Sequence, residues 1–176
     1  AIENQFDIVV LLRGDGKYPP EKIEEMVLPI LGGEAEAVFG SRMIHKKQAL
    51  QGGMPLYKWI ANQFLTMLQN WILGASLSEF HTGFRAFKVS ALASLPFKYN
   101  SNYFDFDTDM IIQFLDTHKR IKEISIPTHY EQEISPIDGF RYGLLSLTTT
   151  FVSRLVPRGI FYHPRFDYVT DNSAYV

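Results

Sequence analysis

The sequence predicts an α/β fold, a mainly parallel sheet with flanking helices, and three observations carry that prediction. A short continuous apolar run, "FDIVVLL" (Phe6 to Leu12), has the β-branched content of a strand buried on both faces. A helical pattern follows it, and "AEAVFGSR" then returns as a second strand, completing a strand–helix–strand unit. The alternation recurs further along, where "FRAFKV" and "IKEISIP" read as strands on either side of a helical "DTDMIIQFLDTHKR".

The elements can be justified in order. Pro19, Pro20 and Glu21 open the first helix, since proline suits a first turn and an acid suits the positive end of the helix dipole. Ile23, Met26, Val27 and Ile30 fall on one face, and Gly32-Gly33 stop the helix. "HKKQALQGG" is polar, basic and glycine-ended, and is expected to be a mobile loop. "MPLYKWIANQFLTMLQNWILG" is the clearest helix; Leu56, Ile60, Phe64, Leu68 and Ile72 repeat every four residues and are expected to face the core. "DTDMIIQFLDTHKR" carries acids in its first turn and bases in its last, as the dipole favours. "RYGLLSLTTTFVSRLV" is a weaker helical pattern, read either as core packing or as a segment lying on a lipid surface. The domain is expected to span residues 1–156, with an irregular tail over 157–176.

Composition narrows the function classes. A chain of 176 residues, 46% hydrophobic, suits one domain that buries roughly 70% of its unfolded surface. Its net charge of −2 offers no broad electrostatic footprint for nucleic acid. The absence of cysteine excludes disulfide scaffolds, zinc–thiolate sites and cysteine nucleophiles, and fits a reducing compartment. No apolar run reaches the ~18 residues that a bilayer span needs. The expected location is therefore cytoplasmic, at the inner face of the membrane if a lipid is involved.

The chemistry-bearing residues gather at strand ends. "LLRGDGKYPP" leaves an apolar strand and at once presents Asp15 between two glycines, with Arg13 and Lys17 beside it. Ligands of open α/β sheets collect beyond the carboxyl ends of the strands, so the Asp15 turn and the Ser41-Arg42 turn should share one rim. A solvated loop is the plain alternative for Asp15. An Arg-Gly-Asp adhesion tripeptide is a poor one, because it begins at the end of a buried strand.

The segments "VVLLRGDGKYPPEKI", "VFGSR", "GGMPLYKWIAN", "LSEFHTGFRAF", "FDFDTDM" and "IKEISIPTHY" occur in the order and spacing of family 2 glycosyltransferases. The likeness covers residues 5 to 145 and is nearest to polyprenyl- and dolichyl-phosphate sugar synthases. The resemblance implies a partial GT-A fold and inverting transfer of a sugar from a UDP- or GDP-linked donor to a polyprenyl phosphate or another glycan. It further implies that Asp15 binds Mg²⁺ or Mn²⁺ on the donor diphosphate, whose leaving charge a divalent ion neutralises. Here Arg13 stands where many relatives have a first aspartate, and Lys17 where a glutamine is common, so the cations are candidates for direct phosphate contact.

Other positions take their roles from the same resemblance. Arg42 is assigned to phosphate, for which a guanidinium offers paired donors and a permanent charge; a surface arginine paired with an acid is the plain alternative. Lys58 and Asn62, four apart on one helical face, look toward the same anion or form a solvated stripe. Glu79 is the candidate catalytic carboxylate: a base if the acceptor is a hydroxyl, an orienting group if the acceptor is already an anionic phosphate. Arg85 faces phosphate or forms a buried salt bridge. His81, His129 and Arg141 are acceptor-side candidates, with Tyr130 beside them; a hydrogen-bonding turn histidine is the plainer reading of His81, and Asp105, Asp107 and Asp109 read chiefly as helix-capping acids.

Relatives place an earlier strand–helix–strand half, which recognises the nucleotide base, before "FDIVV". The chain is therefore expected to be a truncated domain whose exposed sheet edge invites self-association. A non-catalytic assembly module that kept the fold is the competing reading, favoured by Arg13. A doubly wound nucleotide-binding regulator lacks the glycine-rich phosphate loop it would need.

Overall fold

The structure is a computed structural model, and it describes residues 1–12, 18–103, 105–127, 139–160 and 162–168. Its centre is a four-stranded sheet of β1 (Ile8–Leu11), β2 (Ala37–Ser41), β3 (Arg85–Lys88) and β4 (Ile121–Ser125), in spatial order β1-β3-β2-β4. β2 pairs parallel with β4, whereas β3 runs antiparallel to both β1 and β2. Three of the four strands thus share a direction, and one reversed strand is wedged between the first two. The α/β class with flanking helices holds, and the sheet is mixed.

The register brings the strand ends together. Leu11 and Phe39 both lie opposite Arg85, and Ser41 lies opposite Ser125. The carboxyl ends of β1, β2 and β4 therefore meet at the edge where the chain enters β3.

Two apolar layers clamp the sheet. On one face Met26, Ile30 and Tyr18 pack on Val38, Phe84, Ala86 and Ile126. On the other, Phe39 and Phe87 meet Phe80, Met110, Ile111 and Phe114. The first layer comes from α1 (Ile23–Leu31), which follows a 3₁₀ turn at Pro20–Lys22. The second comes largely from α5 (Phe106–Asp116). α4 (Val89–Ala93) continues directly from β3, and α6 (Gly139–Leu155) packs beside α3 (Leu56–Leu73) and α5.

Four expectations change. β1 is not buried on both faces: among the described residues it is an edge strand, and its side chains are half-buried or exposed. The "HKKQALQGG" segment is not a loop but contains α2 (Lys46–Gln51). Packing explains this, since Met43, Ala49 and Met54 form a small core with Trp59, whose indole N–H donates to the Lys46 carbonyl at 3.0 Å. The tail is not wholly irregular either. Pro164–Phe166 form a 3₁₀ turn, Phe166 is buried, and the Gln113 amide donates to the Arg165 carbonyl at 2.9 Å.

The largest change concerns α3. The stripe expected in the core is outside: Leu56, Ile60 and Phe64 are exposed, and Leu68 and Ile72 only half-buried. Asn62, Thr66 and Gln69 are the buried residues. Each has a hydrogen-bonding partner inside: Asn62 reaches Glu79, Thr66 reaches Asn62, and the Gln69 amide donates to Ser146 and Thr150 of α6. Polar groups with partners can be buried at small cost, and here they hold the inner face, although the buried Gln69 Oε1 has no partner among the described residues.

Candidate functional site

β2 delivers Arg42 to the rim. Gly40 is the close-approach position that allows it, because a Cβ there would lie 3.1 Å from Ile126 and 3.3 Å from the Phe84 carbonyl. The turn before β3 supplies Glu79, which is fully buried at its carboxylate. The two residues are joined by several bonds. The Arg42 backbone N–H donates to Glu79 Oε2 at 2.8 Å, its Nε–H donates to Oε1 at 3.0 Å, and its Nη2 also forms an ion pair with Oε1. Asn62 completes the shell by donating to Oε1 at 2.7 Å.

This geometry decides the protonation state of Glu79. Burial pushes its carboxyl upward, but the Arg42 charge and the bonds from Arg42 and Asn62 outweigh burial and hold it below the ordinary carboxylate range. Glu79 is thus a sequestered anion that fixes a guanidinium, and it is poorly suited to take a proton. Arg42 in turn donates weakly to the His81 carbonyl at 3.4 Å.

A second layer supports the turn. Glu123 of β4 accepts from the Ser78 N–H at 2.9 Å, from the Ser78 hydroxyl at 2.7 Å and from the Glu79 N–H at 3.3 Å. Ser41 and Ser78 share a hydroxyl bond of 2.6 Å, and Thr82 donates to the Gly40 carbonyl at 2.6 Å. Burial raises the Glu123 carboxyl, and the Glu79 charge adds to this, while the bonds from Ser78 and Glu79 N–H oppose it. Sequence reasoning missed Glu123, Ser41 and Ser78. The only signal for Glu123 was a lone acid in the strand IKEIS.

His81 sits half-buried beside this pair. Its Nδ1 lies 3.1 Å from the Tyr142 hydroxyl, the two rings meet edge to face at 5.5 Å, and its buried Nε2 has no partner among the described residues. Burial pushes the imidazole down to about 4; the Arg42 and Arg85 charges add to this and Glu79 opposes it. His81 is therefore a neutral ring at the rim.

Arg85 is spent inside the protein, and the phosphate role expected for it does not fit this arrangement. Its nitrogens donate to the carbonyls of Thr82, Phe80 and Asp107 at 2.8–3.0 Å, it pairs with Asp107 at 3.5 Å, and its guanidinium lies over the Phe39 ring. It staples the turn that carries Glu79 and His81. Lys58 is half-buried one turn before Asn62, and Arg141 is exposed in the first turn of α6. Asp107 and Asp109 do open α5, but Asp105 at its N-cap makes no side-chain cap bond. Asp109 instead accepts from the Ser101 N–H and from Arg165.

Asp15, Arg13, Lys17 and His129 lie outside the described residues. Their flanks do not. β1 ends opposite Arg85, and the buried Tyr18 hydroxyl accepts from the Gly83 N–H at 3.1 Å. The described residues on both sides of positions 13–17 are thus tied to the segment that bears Glu79 and His81. Among the described residues, no three His, Asp or Glu side chains form a group fit to hold a metal ion, so the expected Mg²⁺ or Mn²⁺ depends on Asp15.

Comparisons with known proteins agree with this picture. No family model matches the chain. It is 29% identical over 132 residues to a UDP-N-acetylglucosamine–dolichyl-phosphate N-acetylglucosaminyltransferase of Methanococcus voltae, covering 75% of the chain and 52% of that protein. It is 27% identical over 138 residues to the low-salt glycan biosynthesis hexosyltransferase Agl6 of Haloferax volcanii, covering 78% of the chain and 32% of that protein. Among solved structures, it superposes on glucosyl-3-phosphoglycerate synthase of Mycobacterium tuberculosis in complex with Mn²⁺, UDP and phosphoglyceric acid. That match has a TM-score of 0.58 at 17% identity, covering 92% of the chain and 52% of the synthase. The chain spans about half the length of the first of these relatives and of the synthase, and a third of the hexosyltransferase. The chain is thus similar in sequence to glycosyltransferases that act on dolichyl phosphate or in glycan biosynthesis, and its fold matches about half of a GT-A glycosyltransferase fold.

Proposed function

We propose that this chain carries the phosphate- and acceptor-facing half of a sugar-transfer site that uses a nucleotide-linked donor. The observation that supports this most is the Arg42–Glu79 pair at the carboxyl ends of the strands, held from behind by Asn62 and Glu123. In this reading Arg42 meets a phosphate oxygen of the donor diphosphate, which Asp15, with Arg13 and Lys17, also serves. Mg²⁺ or Mn²⁺ bound at Asp15 would neutralise charge on the leaving diphosphate.

Transfer would proceed by attack of an acceptor oxygen on the anomeric carbon. The bond from that carbon to the diphosphate oxygen breaks, and nucleoside diphosphate leaves with the electron pair. A hydroxyl acceptor must also lose a proton, whereas a phosphate acceptor is already anionic. Because Glu79 is ionised and enclosed, the phosphate acceptor fits better, and we take a polyprenyl phosphate as the acceptor class, with the chain at the cytoplasmic face of a membrane. Glu79 is then a positioning residue and not a base.

The test is release of nucleoside diphosphate from a panel of UDP- and GDP-sugars, with Mn²⁺, in the presence of a polyprenyl phosphate or of the matching polyprenol. Release stimulated by the phosphate alone supports the proposal. Stimulation by the alcohol instead, or by neither, contradicts it. The alternative of a non-catalytic module draws on Arg13 at an acidic position, and nucleotide binding without release would favour it.

A further inference from the structure

Residues 163–168 lie along α5 as a strap. Asp105, Asp109, Gln113 and Asp116 are spaced four, four and three apart, so they form one polar stripe on that helix. α5 turns Met110, Ile111 and Phe114 toward the sheet, and a polar stripe on its other side would ordinarily face water. Instead Asp105, Asp109 and Gln113 are buried. The fastenings run the length of the helix. Arg165 Nη1 donates to Asp109 Oδ2 at 3.2 Å and weakly to Asp105 Oδ2 at 3.5 Å, and the Gln113 amide donates to the Arg165 carbonyl at 2.9 Å. At the far end the Tyr168 hydroxyl donates to Asp116 at 2.9 Å, and the intervening Phe166 is buried. Asp105 and Asp109 stand one turn apart and repel each other, and Arg165 brings the cation that offsets this.

The same turn of α5 holds the rim. Asp107 lies between the two strapped aspartates, and its carbonyl accepts from Arg85 Nη1 at 2.8 Å, with its carboxylate 3.5 Å from Arg85 Nε. Arg85 in turn donates to the carbonyls of Phe80 and Thr82, on either side of His81, at 2.9–3.0 Å. A guanidinium is a rigid planar donor, so it passes a shift of α5's first turn on to the rim. The apolar layer and the Thr108–Ser146 hydroxyl bond of 2.9 Å hold the body of α5 without the strap. Loss of the strap should therefore loosen the first turn and leave the helix in place. The strap is also incompletely matched, since Asp105 Oδ1 and Arg165 Nε are buried without a partner among the described residues.

We propose that Arg165 is a positioning residue: strapped onto Asp105 and Asp109, it fixes the first turn of α5 and, through Asp107 and Arg85, the turn that carries Glu79 and His81. This stands on packing alone; its consequence for phosphate binding rests on the transferase reading.

Nuclear magnetic resonance of the Arg85 Nε–H, which is buried and donates to Thr82, reads the rim turn without any substrate. In Arg165→Ala this proton should exchange with water about tenfold faster or more, and the His81 ring signals should shift. Arg165→Lys keeps the cation and should recover most of the protection. Tyr168→Phe unfastens the other end, and should lower the urea midpoint while leaving both signals unmoved. If Arg165→Ala fails to fold, Arg165→Gln with Asp109→Asn removes the cation and one buried charge together and should show the same faster exchange. Unchanged Arg85 exchange in the Arg165 variants would overturn the proposal. An equal change in Tyr168→Phe would overturn it too, since that is general loosening. UDP titration of the same variants reads the site itself: faster exchange with unaltered UDP affinity upholds the strap and counts against the phosphate role of the rim.

Discussion

Glu79 and Arg42 set the chemistry of the rim because each is costly without the other. Removing a partner from a buried ion pair strands a charge, so Glu79→Ala should destabilise the fold by about 3–5 kcal/mol, read by urea unfolding. Glu79→Gln keeps the shape and should cost less. Two titrating groups give opposite signatures. His81 has a folded value of about 4 against an ordinary 6.5, so the unfolded chain takes the proton first and stability is lost as pH falls from 6.5 toward about 4. Proton NMR should find the His81 ring titrating near 4. Asp109 is raised from 3.8 to about 6, chiefly by burial and further by Asp105, against the Ser101 N–H and Arg165. Here the folded state holds the proton more tightly, so stability rises as pH falls from about 6 to 3.8. Asp109→Asn should remove that rise from thermal unfolding curves; an unchanged slope would exclude Asp109 as its source. Arg42, Glu79 and His81 were legible as residues in the sequence. The bond between the first two was not, because nothing local encodes a contact 37 positions apart.

At the scale of elements, packing decides what propensity left open. A Cβ on Gly40 in β2 would lie 3.1 Å from Ile126 and 3.3 Å from the Phe84 carbonyl, closer than side chains ordinarily pack. Gly40→Val should therefore push β2 off its neighbours and cost about 2 kcal/mol, measured as a lowered urea midpoint, with loss of whatever phosphate affinity Arg42 provides. A midpoint equal to wild type would show that the strand can shift without strain. The four strands and four of the six helices among the described residues, α1, α3, α5 and α6, could be read from apolar periodicity and from proline and glycine punctuation, while the five-residue α4 that continues β3 was missed. α2 could not be read either, because a six-residue helix owes its existence to the small core around Ala49. α3 was recognised as a helix but with the wrong side inward. Its every-fourth-residue apolar stripe does not say which side faces in, and the polar residues Asn62, Thr66 and Gln69 have their own partners inside. Glu123 was passed over for a related reason, since its value lies in the turn it holds and not in its own strand.

At the scale of the whole molecule, the order β1-β3-β2-β4 brings distant segments to one edge. Residues near positions 12, 18, 42, 79 and 125 converge there although they are scattered along the chain. Alternating strands and helices predicted such a rim. The reversed direction of β3 was not predicted, because periodicity within a strand carries no information about its orientation. The account as a whole requires this rim to hold a nucleoside diphosphate through Arg42. Calorimetric titration with UDP and GDP, with and without Mn²⁺, tests it most directly. Binding to the wild-type chain that is lost in Arg42→Ala and weakened in Glu79→Gln is the predicted result. Equal binding by all three proteins, or no heat with either nucleotide under any condition, would contradict it.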